Sequence, residues 1–310
     1  MSVMRSLILA GAESAWLRER AMRAPFIRRS VSRFMPGETM EDALGAARRI
    51  EARQGNGTLL THLGENLASL AEAEAVTAHY LELIDRVQAA GLDSQVSVKL
   101  TQLGLDLGAA DCLRNMLALV ERAERAGSMV WIDMESSPYV DPTLDIFRRL
   151  RERTSRVGVC LQAYLRRTPS DLDSLLPLGV AIRLVKGAYR EPPSVAFPKK
   201  ADVDEQYFRL ACRFFDASLP AGTFLGIATH DERLVERLRA TAAAGGADRR
   251  RYEHEMLYGI QRPLQEKLVR AGLPLRVLIS YGEFWFPWFM RRLAERPANV
   301  LFVARSLLRG

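Results

Sequence analysis

Short runs of β-branched and apolar residues return eight times between Thr58 and Gly282, each followed by a longer stretch with helical periodicity. The runs are "TLLTHL" (from Thr58), "VSVKL" (Val96), "VWIDME" (Val130), "VGVCLQA" (Val157), "AIRLVKG" (Ala181), "FLGIATH" (Phe224), "YEHEML" (Tyr252) and "RVLISYG" (Arg276). Between them lie segments such as "LASLAEAEAVTAHYLELIDRVQAAG", whose apolar residues recur at three and four. Several of these end on glycine, at Gly91, Gly127, Gly245 and Gly272, as helices do. Strict alternation of strand and helix requires parallel strands joined by crossover helices. Eight units in roughly 250 residues match a (β/α)8 barrel. A doubly wound open sheet is the other parallel architecture, but its first strand normally runs into a glycine-rich phosphate loop, and "TLLTHLGENLAS" contains no such loop. The expected organisation is a helical arm over residues 1–57, including "ETMEDALGAARRIEARQG", and a barrel over residues 58–310.

In a barrel of this kind, binding and catalytic groups gather at the C-terminal ends of the strands. Those ends carry Lys99, Asp133, Glu135, Gln162, Arg183, Lys186, Tyr189, Thr229, His230 and Glu255. Charged groups at lining positions must find partners, which makes this end of the barrel the candidate site. Alternation puts Lys99 on the face of Ser97, within reach of Asp133 on the next strand. A barrel lysine also serves Schiff-base lyases, so Lys99 alone does not choose the chemistry. Asp133 and Glu135 share a face, one as a site residue and the other as a loop or cap residue. Arg183 and Lys186 place two cations at one strand end, beside a glycine, Gly187, that lets a ligand approach the backbone. That pairing suits an anionic cofactor. His230 reads as a loop or capping residue, with Asp231 or Thr229 the better cap.

The composition sets outer limits. The chain has 310 residues, is 48% hydrophobic, and carries a net charge of +7. No apolar run reaches the ~20 residues a spanning helix needs. Three scattered cysteines, Cys112, Cys160 and Cys212, form no CxxC and point to a reducing, cytoplasmic setting. Four histidines without close pairing argue against a metal site. The basic charge permits an anionic partner, but the arginines are dispersed and no nucleic-acid-binding signature is present, so no nucleic-acid partner is expected. Contact with an acidic membrane face stays open.

One stretch raises a sharper question. In "WFPWFMRRLAERP", Pro287 suits the first turn of a helix, and Arg291 and Arg292 follow on neighbouring faces. At least one of the two guanidiniums is then turned toward packed side chains and needs an anion. The aromatics before them suit either core packing or a flat organic ligand.

Taken together, these segments resemble the proline dehydrogenase family in its short single-function bacterial form. The resemblance rests on "VSVKLTQLGLDL", "WIDMESS", "VGVCLQAYLRRTPSDL", "IRLVKGAYRE", "IATHDE", "EMLYGIQRPL" and "FMRRLAERPANVLFV", in that order, over roughly residues 50–310. It implies a distorted (β/α)8 barrel holding FAD at the strand C-termini. The implied reaction is oxidation of L-proline to Δ1-pyrroline-5-carboxylate, the first step of proline catabolism to glutamate. Hydride would pass to the flavin and the electrons onward to a quinone, with peripheral contact at the inner face of the membrane.

By the same resemblance, Lys99, Arg291 and Arg292 bind the proline carboxylate, and Tyr189, Leu257 and Leu278 line the pocket. Asp133 and Arg183 act beside the reacting atoms, Arg183 by favouring a reduced, anionic flavin. Gln162, Arg183, Lys186, Gly187, Ala188, Thr229 and His230 match cofactor-binding positions, and Met134 is near enough to be counted with them. Glu295, one turn beyond the arginine pair, matches a place near the cofactor or pairs with those arginines. The chain departs from the pattern at Leu278, where many relatives carry tyrosine, which implies a looser wall around the substrate ring. Two other functions compete with this one: a Schiff-base barrel lyase using Lys99, and a basic scaffold that binds nucleic acid.

Overall fold

Eight parallel strands close on themselves in sequence order in a computed structural model that describes residues 31–64, 67–286 and 288–290. The chain enters the barrel through helix α1 (Met40–Gln54), which begins in a reciprocal cap: Thr39 Oγ1 accepts from the Asp42 amide, and the Asp42 carboxylate accepts from Thr39 N–H. The wall then alternates β1 (Gly57–His62), α2 (Leu70–Ala89), β2 (Ser94–Val98), α3 (Ala109–Arg125), β3 (Val130–Ile132), α4 (Val140–Arg151), β4 (Val157–Gln162) and α5 (Thr168–Leu175). It continues with β5 (Ala181–Val185), α6 (Lys200–Cys212), β6 (Phe224–Ala228), α7 (Glu232–Ala244), β7 (Tyr252–Leu257), α8 (Arg262–Arg270) and β8 (Leu275–Tyr281). β8 pairs back onto β1 over six residues, from Gly57↔Arg276 to His62↔Tyr281, which closes the cylinder.

The pattern of side chains follows from strand alternation. Outward residues such as Leu60, Val96, Val98, Ile132, Val159, Ile182, Leu184 and Ile227 form the main core with the helices. α3 shows how the helices meet it: Cys112, Asn115, Met116, Leu119, Val120 and Ala123 make one buried stripe at spacings of three and four. Inward residues form a separate apolar plug of Leu59, Trp131 and Ala181, with Met129, Phe224 and Leu278 packed against it. Burying a side chain the size of Trp131 contributes roughly 2–3 kcal/mol.

Each of the eight sequence runs is a strand, with small differences at the ends. β2 starts two residues earlier than "VSVKL", and Lys99 lies just past its end, capping the turn Leu100–Leu103. β3 is only three residues long, so Asp133 also stands beyond its strand. After α7, Gly246 rather than Gly245 takes the left-handed conformation, with φ 62°. Among the described residues, no helix is long and apolar enough to cross a membrane.

Candidate active site

Arg183 is the centre of the polar layer above the apolar plug. Only 2% of the residue is exposed, and its guanidinium carbon lies 5.4 Å from the centroid of the Trp131 ring. Its NH2 donates to Asp133 Oδ1 and, at 2.7 Å, to Ser97 Oγ. Ser97 Oγ in turn donates to Asp133 Oδ1 at 2.8 Å. NH1 faces Glu255 Oε2 at 3.6 Å, too far for a hydrogen bond. Burial opposes the charge of Arg183, but Asp133 and Glu255 outweigh it and hold the guanidinium firmly protonated.

Lys99 joins the same carboxylate from the other side, with Nζ 3.8 Å from Asp133 Oδ2. Asp133 therefore links β2, β3 and β5 at the barrel mouth, carrying two cations on its two oxygens. Glu135 takes the other of the two roles open to this pair. Its carboxylate accepts from the amide of Thr101 at 3.2 Å and from Thr101 Oγ1 at 2.8 Å, pinning the turn after β2 to the exit of β3. Burial raises its pKa, partly offset by those two bonds and by Lys99.

The opposite half of the mouth is built from β4, β5 and β6. Gln162 Nε2 donates to the carbonyls of Met134 and Glu135, at 2.8 and 2.9 Å, which tethers the β3 exit to β4. Gln162 Oε1 is buried and has no hydrogen-bond partner among the described residues. Gly187 has φ 111°, and a Cβ there would run into the ring of Tyr164. Only glycine accommodates both the backbone angle and the proximity. Ala188 and Tyr189 continue this loop, half-buried.

Lys186 is already matched: it contacts Asp204 and Asp231, and Lys200 contacts the same two carboxylates. Those lysines hold the Asp231 carboxyl far below its usual range, although burial works the other way. Asp231 occupies the N-cap position of α7 without a side-chain cap bond, because its carboxylate is taken up by the lysines. The capping role expected for it is thus replaced by an ion pair. Thr229 Oγ1 accepts from the Asp231 amide at 3.2 Å, and His230 Nε2 accepts from the Leu257 amide at 2.9 Å. The latter bond fixes the imidazole between β6 and β7 and leaves Leu257 half-buried at the rim. Leu278 is the one residue of β8 that is not fully buried.

The structure thus brings Lys99, Asp133, Gln162, Arg183, Gly187 and His230 to one end of the barrel. Arg291, Arg292 and Glu295 lie outside the described residues. Two contributors had no role assigned from the sequence, although Glu255 was among the strand-end groups. Ser97 bridges Arg183 and Asp133, and Glu255 faces Arg183 from β7. Both sit at inward positions of their strands, so alternation in "VSVKL" and "YEHEML" carries that signal.

Chemically, this end combines, among the described residues, an orphaned acceptor (Gln162 Oε1) with the guanidinium of Arg183, whose NH1 faces Glu255 without a hydrogen bond, while the Tyr164 ring takes the close approach at Gly187. A flat, electron-rich ring with both donors and acceptors fits that set. A carboxylate fits beside the Lys99 ammonium.

Comparison with known proteins bears on the family and the barrel fold. The family described as proline dehydrogenase matches residues 43–305. Proline dehydrogenase 2 of Bacillus subtilis subsp. natto is 36% identical over 307 residues, covering 99% of both chains. The proline dehydrogenase of Deinococcus radiodurans is 39% identical over 287 residues, covering 90% of each. Among solved structures, proline utilization A from Bdellovibrio bacteriovorus superposes with a TM-score of 0.79 at 23% identity, over 86% of this chain. This chain spans 32% of that longer protein, and the likeness there is one of fold. The chain belongs to the proline dehydrogenase family.

Proposed function

We propose that this protein oxidises L-proline to Δ1-pyrroline-5-carboxylate with FAD at the barrel mouth, and passes the electrons to a quinone. The observation that carries this reading is the Lys99–Asp133–Arg183 cluster. It offers a held ammonium for a carboxylate next to a buried guanidinium that favours negative charge above it. Gln162, Arg183, Gly187, Ala188, Thr229 and His230 are the residues that would hold the cofactor, with Met134 supporting Gln162 and Lys186 serving through its aspartate cluster. FAD, when bound, supplies the hydride acceptor.

The chain's own residues do the rest. Lys99 binds the substrate carboxylate, and by resemblance Arg291 and Arg292 complete the clamp. Fixing that end of the ring orients the C5–H bond toward the cofactor, which converts a chance encounter into a set geometry. Asp133 keeps Lys99 and Arg183 in place, and Tyr189, Leu257 and Leu278 exclude water from the ring. Glu295 is assigned to the cofactor side on resemblance alone. The inner face of the membrane is where a quinone is met, and the positive net charge suits its acidic lipids.

The test is direct. Purified protein should carry flavin absorption that L-proline bleaches and a quinone analogue restores. A colourless protein in which borohydride traps substrate on Lys99 would instead identify a Schiff-base lyase.

A further inference from the structure

We propose that Glu255 is a positioning residue that sets the charge Arg183 presents at the barrel mouth, by taking up a proton when negative charge arrives there and releasing it when that charge leaves. This rests on the functional reading above. Its geometric basis is independent of the cofactor. Glu255 is 3% exposed, yet among the described residues neither of its carboxyl oxygens has a hydrogen-bond partner. It reaches Arg183 NH1 only at 3.6 Å, while the other side of the guanidinium is tightly engaged by Asp133 and Ser97. Gly226 on β6 makes this arrangement possible, because a Cβ there would collide with the Glu255 carboxyl.

One guanidinium thus faces two carboxyls, and only one of them is fixed by hydrogen bonds. The looser one is the group free to change its charge. The charged and titratable groups around it come from each neighbouring element: Arg183 on β5, Asp133 just past β3, Cys160 on β4, Arg276 on β8, Tyr207 on α6, and Glu253 on its own strand. Burial pushes the Glu255 carboxyl up to about 7, Arg183 and Arg276 pull it back, and Glu253 and Asp133 add to the rise. It is poised to titrate near neutral pH.

The charge balance is simple. Oxidising the substrate's C–N bond to an imine removes two electrons and two protons. One proton leaves with the electron pair as hydride, and the other leaves nitrogen for solvent. The acceptor therefore gains one negative charge, which Glu255 offsets by taking one proton from solvent. It returns that proton when the electron pair moves on.

The experiment measures the midpoint potential of the bound flavin against pH in the holoenzyme, for wild type and Glu255→Gln. The expected result is two curves that meet at acid pH and separate as pH rises. The wild type should fall more steeply through neutrality, and the variant should stay higher in potential. Parallel curves would overturn the role of Glu255. Should Glu255→Gln fail to hold flavin, redox-difference infrared spectra of the unmodified holoenzyme carry the test. A protonated-carboxyl band that grows on reduction and shifts with labelled glutamate supports the assignment, and its absence overturns it. A chain that proline cannot reduce at all would overturn the functional reading and this inference with it. Reduction by proline with parallel curves would overturn only this inference.

Discussion

His254 and Glu255 are neighbours on β7 and project to opposite sides of the barrel wall, one into the helix layer and the other toward Arg183. Their protonation equilibria are displaced in opposite senses. Burial pulls His254 down from 6.5 to about 4, with Arg239 adding to the fall and Glu236 opposing it. Among the described residues, neither ring nitrogen has a hydrogen-bond partner. The unfolded chain thus binds a proton at His254 that the folded chain refuses, and stability is lost as pH drops from 6.5 to about 4. For Glu255 the folded chain holds the proton more tightly, so its contribution is present at acid pH and lost as pH rises from 4.5 to about 7. Chemical denaturation across pH 4.5–6.5 should show His254→Leu lacking the gain with rising pH that His254 contributes in wild type against the opposing loss at Glu255, a difference of about 3 kcal/mol over the full range of the shift. Glu255→Gln should tilt the curve the other way. Identical slopes in all three proteins would refute both assignments.

Asp133 carries two cations at the barrel mouth, and its removal has a stability consequence. Among the described residues, Asp133→Ala leaves the buried Arg183 with Glu255, 3.6 Å away, as its counter-ion. Breaking a buried pair in this way should destabilise the fold by about 2–4 kcal/mol. Asp133→Asn keeps the shape and should cost less. Urea midpoints of the two variants check the order.

Lys99 is expected to act on substrate binding rather than on the fold. Among the described residues its ion-pair partner is Asp133 at 3.8 Å, beyond hydrogen-bond distance, which leaves it able to bind a carboxylate. Lys99→Met should raise the KM for L-proline by roughly 10- to 150-fold, the equivalent of one charge-assisted hydrogen bond. The flavin content should stay unchanged. A variant with unaltered KM would place the carboxylate elsewhere.

Gly187 makes a third local test. At φ 111°, with the Tyr164 ring where a Cβ would go, alanine forces either the backbone or the ring to move. Strain of this kind costs roughly 1–3 kcal/mol. We expect Gly187→Ala to lower flavin affinity at the β5 exit far more than Gly91→Ala, whose site has open space around it. Equilibrium titration of the two apoproteins with FAD distinguishes them.

Much of this was legible in the chain because the barrel repeats one signal. A strand buried on both faces reads as an apolar run, and its polar exceptions fall at the mouth. Lys99, Asp133 and Arg183 are visible that way. The partners of Lys186 were not. Asp204 sits on α6 and Asp231 at the start of α7, and nothing in local periodicity says that two helix ends converge on one lysine. Lys186 therefore read as a cation free for a ligand. Glu135 and Asp133 were equivalent in sequence, and only the position of Thr101 separates the latch from the site. The short β3 likewise stops before Asp133 because pairing with β2 and β4 ends at Ile132.

Leu278 carries the last prediction. It lies on β8 opposite Leu59 and Leu257 in the strand pairing, and it packs against Leu59, Trp131 and Ala181 inside the barrel. Its partial exposure within an otherwise buried strand means that it borders open space on the inner face. An apolar wall discriminates weakly between a ring with and without a hydroxyl group, whereas a side chain that hydrogen-bonds or crowds the ring discriminates strongly. A tyrosine here would add a larger ring and a hydroxyl at that wall. We expect wild type to separate proline from 4-hydroxyproline only modestly, and Leu278→Tyr to widen the ratio of the two kcat/KM values. Steady-state kinetics on both substrates, with an artificial electron acceptor, gives the ratio. The Trp131 ring must give way slightly, so a thermal melt should accompany the kinetics to show that the variant is folded. An unchanged ratio in a folded variant would mean that Leu278 belongs to the apolar plug alone and does not border the substrate.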